Sequence, residues 1–447
     1  MPMKKICALL CAALLSLLLT LPVAAEGETT SLLAEDAPAL TAPAAYVVNL
    51  DTNIVVYEKD SETQFQAASL TKMMTCLLML EQYQDQLDTI TLTAPSYIYD
   101  LIWEQTTNAS TADIRRGDTQ TLRNLLYAML LPSANEAAYI VADYMGGGSI
   151  DNFVAMMNEE AAAIGCTGTV FTDPCGLDGG NMTTARDAYL LLRAAMEYDA
   201  FREAASVATW QVPQASAHDA PYTIISTDKM IMSASSLYRE YTQGGKTGSL
   251  SSGWQNFVSW HTRDGESYIS SILHSSTDIG DNPAQIETGQ IMDWAFDTFG
   301  VGAALDTTQP ISELPVRYAT EADSVMLYPV DDMMTLLPRE GGAAVTEQTF
   351  NLPDSLAAPI TQGDVVGTVT ISIEGEEVGT VDLIAGSTIA RNQVLYTLAR
   401  VGEFFNSTYF KVVVILTMIT VAVYAFVWVA AMLLTLNEEG KRRAKKH

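Results

Sequence analysis

An uncharged apolar run near the C-terminus constrains the architecture of this chain more than any other feature. Residues 412–436 contain no charged side chain, and a helix of roughly 20 apolar residues already crosses a bilayer. Lysines and arginines crowd the segment 437–447 directly after it, and positive charge stays on the cytoplasmic side of a membrane. We therefore predict a transmembrane helix at 412–436 and a basic cytoplasmic tail at 437–447, with the body of the chain outside the cytoplasm. A buried core helix is the alternative.

The N-terminus has the pattern of an export signal. Two lysines precede an almost unbroken apolar run at 6–21, and Val-Ala-Ala at 23–25 supplies the small residues at which signal peptides are cleaved. We predict a signal peptide at 1–25, and a retained N-terminal anchor is the alternative. Residues 26–42 are acidic and rich in Thr, Ala and Pro, a composition typical of a linker.

The net charge and the spacing of the cysteines and histidines limit which binding partners and cofactors we expect for this chain. The net charge is −29, and such an acidic surface repels nucleic acid. The cysteines and histidines lack the spacing of metal ligands, so we expect no metal and no other cofactor. Cys166 and Cys175 could form a disulfide in an oxidising compartment. They could equally remain buried thiols, because spacing alone does not give their geometry.

Hydrophobic periodicity predicts an α+β domain followed by a small all-β module. Helices and strands mix without strict βαβ alternation over residues 43–305, which favours a layered α+β domain. Short strand candidates with glycine-rich turns follow at 306–395, and residues 396–411 form a juxtamembrane segment. The spacing of apolar residues predicts helices at 69–80, 121–131, 136–144, 151–164, 185–196 and 285–299. Strands are predicted at 46–51, 54–57, 224–225, 257–260, 268–273, 325–328, 332–337, 365–373 and 378–384.

The segment Ser69-Leu-Thr-Lys72 opens the first of these helices. Residues three apart share a helix face, so the Lys72 amine can lie beside the Ser69 hydroxyl. A serine needs a base to become a nucleophile, and a lysine serves only when neutral. Burial and a nearby cation both lower a lysine pKa, and Lys246 could be that cation. By itself the pattern is weak, because Ser226 and Lys229 repeat it beside a predicted strand.

Two further short motifs follow in the chain. Ser133 and Asn135 lie between two predicted helices, where a loop can point a hydroxyl and an amide into a cleft; alone they would favour a helix cap. Lys246, Thr247 and Gly248 follow two glycines. Glycine lets a ligand approach the backbone closely, and lysine with threonine can hold a carboxylate. A glycine-rich hairpin is the structural alternative.

The three motifs, in this order on an exported chain, resemble those of the penicillin-binding proteins and serine β-lactamases. The resemblance is more specific to the low-molecular-weight D-alanyl-D-alanine carboxypeptidases and covers roughly residues 43–300, with a second domain after it. It implies a penicillin-binding/β-lactamase-like transpeptidase domain, an antiparallel sheet with helices, and then an all-β spacer. The segments that carry the resemblance are 68–75, 133–138, 171–178, 184–187 and 358–369.

The resemblance implies a serine-type carboxypeptidase that removes the terminal D-alanine from peptidoglycan stem peptides and is acylated by β-lactams. Ser69 would attack the peptide carbonyl, Lys72 would take its proton, and Ser133 would relay a proton to the leaving amine. The residues implied to bind substrate are Asn135, Lys246, Thr247 and Gly248, and the backbone N–H groups of Ser69 and Ser249 would form the oxyanion hole.

The sequence also departs from that family. Residues 275–294 contain no Lys or Arg, although relatives often carry a basic residue there, so carboxylate binding would depend more on Lys246 and Thr247. A spanning segment replaces the usual amphipathic anchor. A serine β-lactamase and a DD-endopeptidase are the alternative activities, but no Glu-x-x-Leu-Asn string suited to fast deacylation is present. A non-enzymatic wall-binding scaffold would require a broken motif, and all three are intact.

Overall fold

The computed structural model describes residues 37–213, 218–340, 346–373 and 376–444. The predicted signal peptide, 1–25, lies outside the described residues. Contacts within the chain define two units, and each is described by itself. The first comprises residues 37–302 with 334–340, and the second comprises the remaining described residues from 303 onward.

The first unit combines short strands with helices of seven to sixteen residues. Its strands in chain order are β1 (Ala44–Asn49), β2 (Val55–Lys59), β3 (Phe65–Gln66), β4 (Thr91–Thr93), β5 (Thr119–Thr121), β6 (Met182–Thr183), β7 (Thr209–Val212), β8 (Tyr222–Ile225), β9 (Thr242–Ser249), β10 (Gln255–Arg263) and β11 (Glu266–Ser275). Its helices are α1 (Lys72–Tyr83), α2 (Ser96–Gln105), α3 (Leu122–Leu130), α4 (Asn135–Met145), α5 (Ile150–Ala163), α6 (Ala185–Ala195), α7 (Asp199–Ala205) and α8 (Pro283–Thr298).

A five-stranded antiparallel sheet of order β2-β1-β11-β10-β9 organises this unit. Successive side chains of a strand point to opposite faces, and β10 shows this clearly. Val258 and Trp260 join a core formed with α1 to α7, whereas Phe257 joins a second core formed with α8. The sheet is therefore covered on both faces by helices, which confirms the predicted α+β layers.

Helix α1 is the centre of the helical layer. Leu70, Met73, Met74 and Leu77, which the helical spacing placed on one face, are all buried, and each contributes roughly 1.5–3 kcal/mol by leaving water. The polar side chain of Lys72 is buried as well, so the helix is enclosed on every side at its first turn. A charged side chain is thereby held inside the protein, where its amine can be used for chemistry.

Most of the predicted elements of this unit are confirmed. The first hairpin is β1 and β2, and the helix predicted at 185–196 is α6, whose cap is Thr184: its Oγ1 accepts a hydrogen bond from Asp187 N at 3.0 Å. The predicted linker, 26–42, is described only from residue 37. There Leu40 and Ala42 are buried, so the packed structure begins before residue 43.

The second unit is a β-module followed by two helices. Besides β12 (Phe299–Leu305) and β15 (Met333–Pro338), which have residues in both units, its elements are β13 (Ser312–Arg317), β14 (Ser324–Pro329), β16 (Thr346–Asn351), β17 (Leu356–Ala357), β18 (Val365–Ile373), β19 (Glu376–Ala385), α9 (Gln393–Asn406) and α10 (Thr408–Ala444). Six strands form a sheet of order β16-β18-β19-β14-β13-β17, which confirms the predicted all-β texture. Strands β12 and β15 pair with each other and cross the division between the units.

Helix α10 contains the predicted transmembrane segment, 412–436. Thr408–Glu438 contains an 18-residue window with a mean hydropathy of 2.6 and is the one helix of the described residues that is long and apolar enough to cross a membrane. Its apolar side chains do not pack against the protein, which argues against a core helix. The predicted juxtamembrane segment, 396–411, is largely helical: α9 is capped by Asn392 and exposes Leu398 and Phe405.

Candidate active site

Ser69 lies in a tight 3-10 turn, Ala68–Thr71, that leads directly into α1. Ala68 has a φ of 47°, a left-handed conformation that is strained for a residue with a side chain. The turn is held from the sheet, because Asn256 Nδ2 donates to Gln66 O at 2.9 Å and to Ala67 O at 3.1 Å. Backbone strain held in place by the surrounding structure is typical of a functional position.

Lys72 is completely buried directly beneath this turn. Its Nζ donates to Ser69 Oγ at 2.9 Å, to Asn135 Oδ1 at 2.7 Å and to Cys175 O at 2.8 Å. Burial lowers the pKa of Lys72, against the opposing effect of nearby acidic groups. Burial was one of the two causes expected from the sequence, and desolvation has the largest effect on this pKa.

The loop 171–178 supplies the third hydrogen-bond acceptor of Lys72, the carbonyl oxygen of Cys175. This role was not predicted from the sequence. Asp173 Oδ1 accepts hydrogen bonds from the backbone N–H groups of Cys175 at 2.7 Å and Gly176 at 2.5 Å. Thr75 Oγ1 donates to Pro174 O at 2.6 Å. These bonds fix the Cys175 carbonyl where the lysine amine meets it. This segment was predicted only as part of the family resemblance, because Cys175 lies 103 residues after Lys72 in the chain.

Ser133 lies in the short connection between α3 and α4, whereas Asn135, which was predicted in the same loop, is the first residue of α4. Ser133 has a φ of 65°, and its Oγ accepts a hydrogen bond from Lys246 Nζ at 2.9 Å. Asn135 N donates to Ser110 O at 2.9 Å, while its side-chain oxygen faces Lys72. The residue before α4 is Ala134, which makes no side-chain cap. The helix-cap alternative therefore explains neither side chain.

Lys246, Thr247 and Gly248 lie on β9, at the edge of the five-stranded sheet. Lys246 is fully buried, and its Nζ donates to Ser133 Oγ and to Thr247 O, each at 2.9 Å. Burial lowers the pKa of Lys246 well below its ordinary value, and the like charge of Lys72 is the second cause in the same direction. A side chain at Gly248 would meet Ala67 O at 3.0 Å, so glycine lets the strand approach the nucleophile turn.

The geometry brings the three motifs into one connected site. Lys72 donates hydrogen bonds to both Ser69 and Asn135. Lys246, which lies on β9, donates one to Ser133. The second Ser-x-x-Lys copy does not form such a pair: Ser226 Oγ accepts from Asp228 N at 3.1 Å, and Lys229 Nζ contacts Met232 Sδ at 3.8 Å. A buried lysine beside a partly exposed serine is an arrangement for nucleophilic catalysis.

A cavity of about 320 Å³ opens beside Thr247. The hydroxyls of Thr227 and Thr247, which both line the cavity, are hydrogen-bonded to each other at 2.6 Å. Its lining combines residues of β8, β9 and the beginning of α8, namely Ile225, Ser226, Thr227, Lys229, Thr247, Ser249, Gln255, Asn282 and Gln285. The lining includes Ser249, which was predicted to supply an oxyanion donor.

The cysteines and possible metal ligands do not add to this chemistry. The three cysteines of the described residues, Cys76, Cys166 and Cys175, are buried free thiols, so Cys166 and Cys175 form no disulfide. Burial raises the pKa of Cys76 to about 12, which leaves it unreactive as a thiol. Within the described ranges no group of His, Cys, Asp and Glu could hold a metal ion.

Comparisons with known proteins identify the family of the chain. The family model described as D-alanyl-D-alanine carboxypeptidase matches residues 31–277, more than half of the chain, and that of the penicillin-binding protein 5 C-terminal domain matches 305–391. The D-alanyl-D-alanine carboxypeptidase DacF of Bacillus subtilis is 23% identical over 353 residues, covering 78% of this chain and 85% of the relative.

Other similar proteins include an endopeptidase and a solved structure. The D-alanyl-D-alanine endopeptidase of Escherichia coli is 27% identical over 186 residues, which cover 41% of this chain and 57% of the relative. The crystal structure of the D-alanyl-D-alanine carboxypeptidase DacD from Francisella tularensis superimposes with a TM-score of 0.61 at 21% identity. It covers 82% of this chain and 97% of that structure, which shows a shared fold.

Proposed function

The chain belongs to the D-alanyl-D-alanine carboxypeptidase family, and from that membership we propose that Ser69 is the nucleophile that removes the terminal D-alanine of peptidoglycan stem peptides. The observation that carries the assignment is the 2.9 Å contact between Ser69 Oγ and the buried Nζ of Lys72. A serine hydroxyl becomes a competent nucleophile when an adjacent base accepts its proton, and burial favours the neutral amine that can do so.

Acylation would proceed in two steps at this pair. Ser69 Oγ attacks the carbonyl carbon of the penultimate D-alanine while its proton passes to Lys72 Nζ. The carbonyl oxygen becomes an oxyanion, which the backbone N–H groups of Ser69 and Ser249 would stabilise. The C–N bond then breaks as Ser133, held by Lys246, gives its proton to the leaving nitrogen and takes up the proton that Lys72 received from Ser69, so that Lys72 is neutral again. Free D-alanine departs and an ester on Ser69 remains.

Deacylation would return the enzyme to its starting state. Water attacks the ester carbonyl, a proton from that water passes to the lysine–serine network, and Ser69 recovers its own proton as the shortened peptide leaves. Asn135 would hold the substrate amide, because its side chain is fixed by Lys72. Thr247 and Gly248 would bind the terminal residue. Lys246, proposed with them as a carboxylate ligand, is directed instead at Ser133 and the Thr247 carbonyl, so its support of the carboxylate would act through Thr247.

A penicillin adduct tests the nucleophile directly. β-Lactams imitate the acyl-D-Ala-D-Ala backbone, so intact mass spectrometry of the full chain in detergent should show one adduct per protein. Ser69→Ala should abolish it. Ser226→Ala is the matched control, because that serine belongs to the second Ser-x-x-Lys copy, and it should keep the adduct. An adduct on the Ser69→Ala protein would show that another residue is the nucleophile.

The two alternative activities are separated by product analysis. A pentapeptide ending in D-Ala-D-Ala should yield free D-alanine, and a purified cross-linked dimer should remain intact. Cleavage of the cross-link at a comparable rate would favour the DD-endopeptidase alternative, which the Escherichia coli relative represents. Rapid turnover of penicillin instead of a lasting adduct would favour a β-lactamase.

We also propose that the body of the chain lies outside the cytoplasm of a bacterial cell, attached to the membrane by a single helix. Helix α10 is long and apolar enough to cross a bilayer, and the basic residues after 440 favour a cytoplasmic end. The β-module would then separate the catalytic unit from the membrane.

A further inference from the structure

The cavity beside Thr247 has a single charged side chain in its lining. That side chain is Lys229, and each of the other residues that line the cavity is uncharged. Lys229 is half-buried, and in the described part of the chain its ammonium makes no salt bridge; its contact is the sulfur of Met232 at 3.8 Å. A cation that faces a cavity without an anionic partner favours an anionic ligand there.

The backbone around Lys229 is fixed to α8. Lys229 N donates to Gln285 Oε1 at 2.7 Å, and Gln285 Nε2 donates back to Thr227 O at 3.3 Å. Asp228 Oδ1 accepts from Met230 N at 2.8 Å in the same turn. The turn after β8 therefore has a defined position, and the Lys229 side chain starts from a fixed point at the cavity wall.

The other lysine of this region is engaged elsewhere. Lys246 Nζ is buried and donates to Ser133 Oγ and to the Thr247 carbonyl, and Lys246 does not line the cavity. The segment 275–294, which forms another wall through α8, contains no Lys or Arg. Among the residues that line the cavity, Lys229 is therefore the one cation.

We propose that Lys229 binds the terminal carboxylate of the substrate, together with the hydroxyls of Thr227 and Thr247, and so determines the preference for peptides with a free C-terminus. This deepens the proposed function and rests on it. The two threonine hydroxyls are adjacent. Thr247 can turn its proton toward a carboxylate oxygen, and Thr227, whose Oγ1 donates to Leu131 O at 3.3 Å, would exchange that bond for one to the carboxylate. The lysine then supplies the charge, and a charge-assisted hydrogen bond is roughly twice as strong as a neutral one.

The test compares an acylated Lys-D-Ala-D-Ala peptide with the same peptide ending in an amide, using the full chain in detergent micelles. Wild-type kcat/KM should favour the free acid by roughly tenfold or more, the factor expected for one ionic hydrogen bond. Lys229→Met should reduce kcat/KM on the acid by roughly tenfold to a hundredfold and leave the amide within about threefold. Lys229→Arg should retain most of the preference, and Arg123→Met, which removes a partly buried cation paired with Asp88, should change neither value.

The outcomes separate this proposal from the proposed function. Failure of the wild type to release D-alanine or its amide would overturn the carboxypeptidase function itself. If the wild type hydrolyses both peptides equally well, or if Lys229→Met slows them by the same factor, Lys229 does not read the carboxylate although the enzyme functions. Should Lys229→Met misfold, shown by the loss of its penicillin adduct, Lys229→Gln and the wild-type acid-to-amide ratio decide the question.

Discussion

Glu136 offers a quantitative test of how strongly burial acts in this site. The residue follows Asn135 in α4, is fully enclosed, and its Oε1 accepts a hydrogen bond from Ala112 N at 2.7 Å. Its Oε2 has no hydrogen-bond partner. Desolvation raises the pKa of Glu136 from 4.5 to about 7, against the opposing effects of backbone hydrogen bonds and Lys72. Glu136→Gln keeps an oxygen for Ala112 N but cannot ionise.

The sign and size of the effect follow from linkage. Because the pKa is higher in the folded state, the group costs nothing below about pH 4.5, where it is protonated in both states. The folded state then loses stability as the pH rises to about 7. One pKa unit corresponds to about 1.4 kcal/mol, so the loss reaches roughly 3 kcal/mol above pH 7. The glutamine variant should not show this loss, whatever constant offset its amide introduces.

Thermal unfolding of the full chain in detergent, followed by tryptophan fluorescence at pH 4.5, 6 and 8, measures the difference. The Tm of Glu136→Gln minus that of the wild type should increase by roughly 5–10 °C from pH 4.5 to 8, given a few degrees per kcal/mol for a large domain. Glu104→Gln, which changes an exposed carboxyl of α2, should show no such trend. A constant difference for Glu136→Gln across this range would refute the reasoning.

Three further predictions test other parts of the structure. Lys72→Ala should slow penicillin acylation by roughly 10²–10⁴-fold, the usual value of a general base, and near-normal acylation would mean that another base acts. Gly176→Ala should slow acylation and lower the Tm more than Gly165→Ala: the two glycines have φ near +85°, but only at Gly176 would a Cβ lie 1.8 Å from Ala68 O, whereas nothing lies within 4 Å at Gly165. Protease added to intact protoplasts should remove the body of the chain and spare a fragment that contains 412–436; an accessible tail with a protected body would reverse the proposed orientation.

Local periodicity was sufficient for the parts of the fold that are determined by neighbouring residues. The apolar spacing in α1 placed Ser69 and Lys72 on one face, and the i, i+3 relation alone brings their side chains together. Helix α9 carried a comparable signal, with a cap at Asn392 and apolar residues at helical spacing, Val394, Leu398 and Phe405. Most of this helix was predicted only as a juxtamembrane segment, because the longer apolar run that follows gives the stronger signal in the sequence.

Contacts between distant segments could not be read in this way. Strand β15 was recognisable as a strand, but its pairing with β12 depends on which edge is free in the folded chain. The 2.8 Å contact between Lys72 and the Cys175 carbonyl spans 103 residues, and that between Lys246 and Ser133 spans 113. Loop closure over such lengths depends weakly on the intervening sequence, so no local pattern specifies the partner. No role for Lys229 could be predicted for the same reason, because its position in the cavity lining depends on Thr247 and α8, which lie elsewhere in the chain.

The chemistry of the site depends on that convergence more than on the motifs. Lys72, Glu136, Asp228 and Lys246 are all buried, and burial moves each pKa toward the neutral form: down for the two lysines and up to about 7 for the two carboxyls. In an exposed peptide the same four groups would be fully charged at neutral pH, and Lys72 could accept no proton. Burial in the folded protein thus favours the neutral amine that the proposed base role of Lys72 requires, whereas the same residue in an exposed peptide would remain a cation.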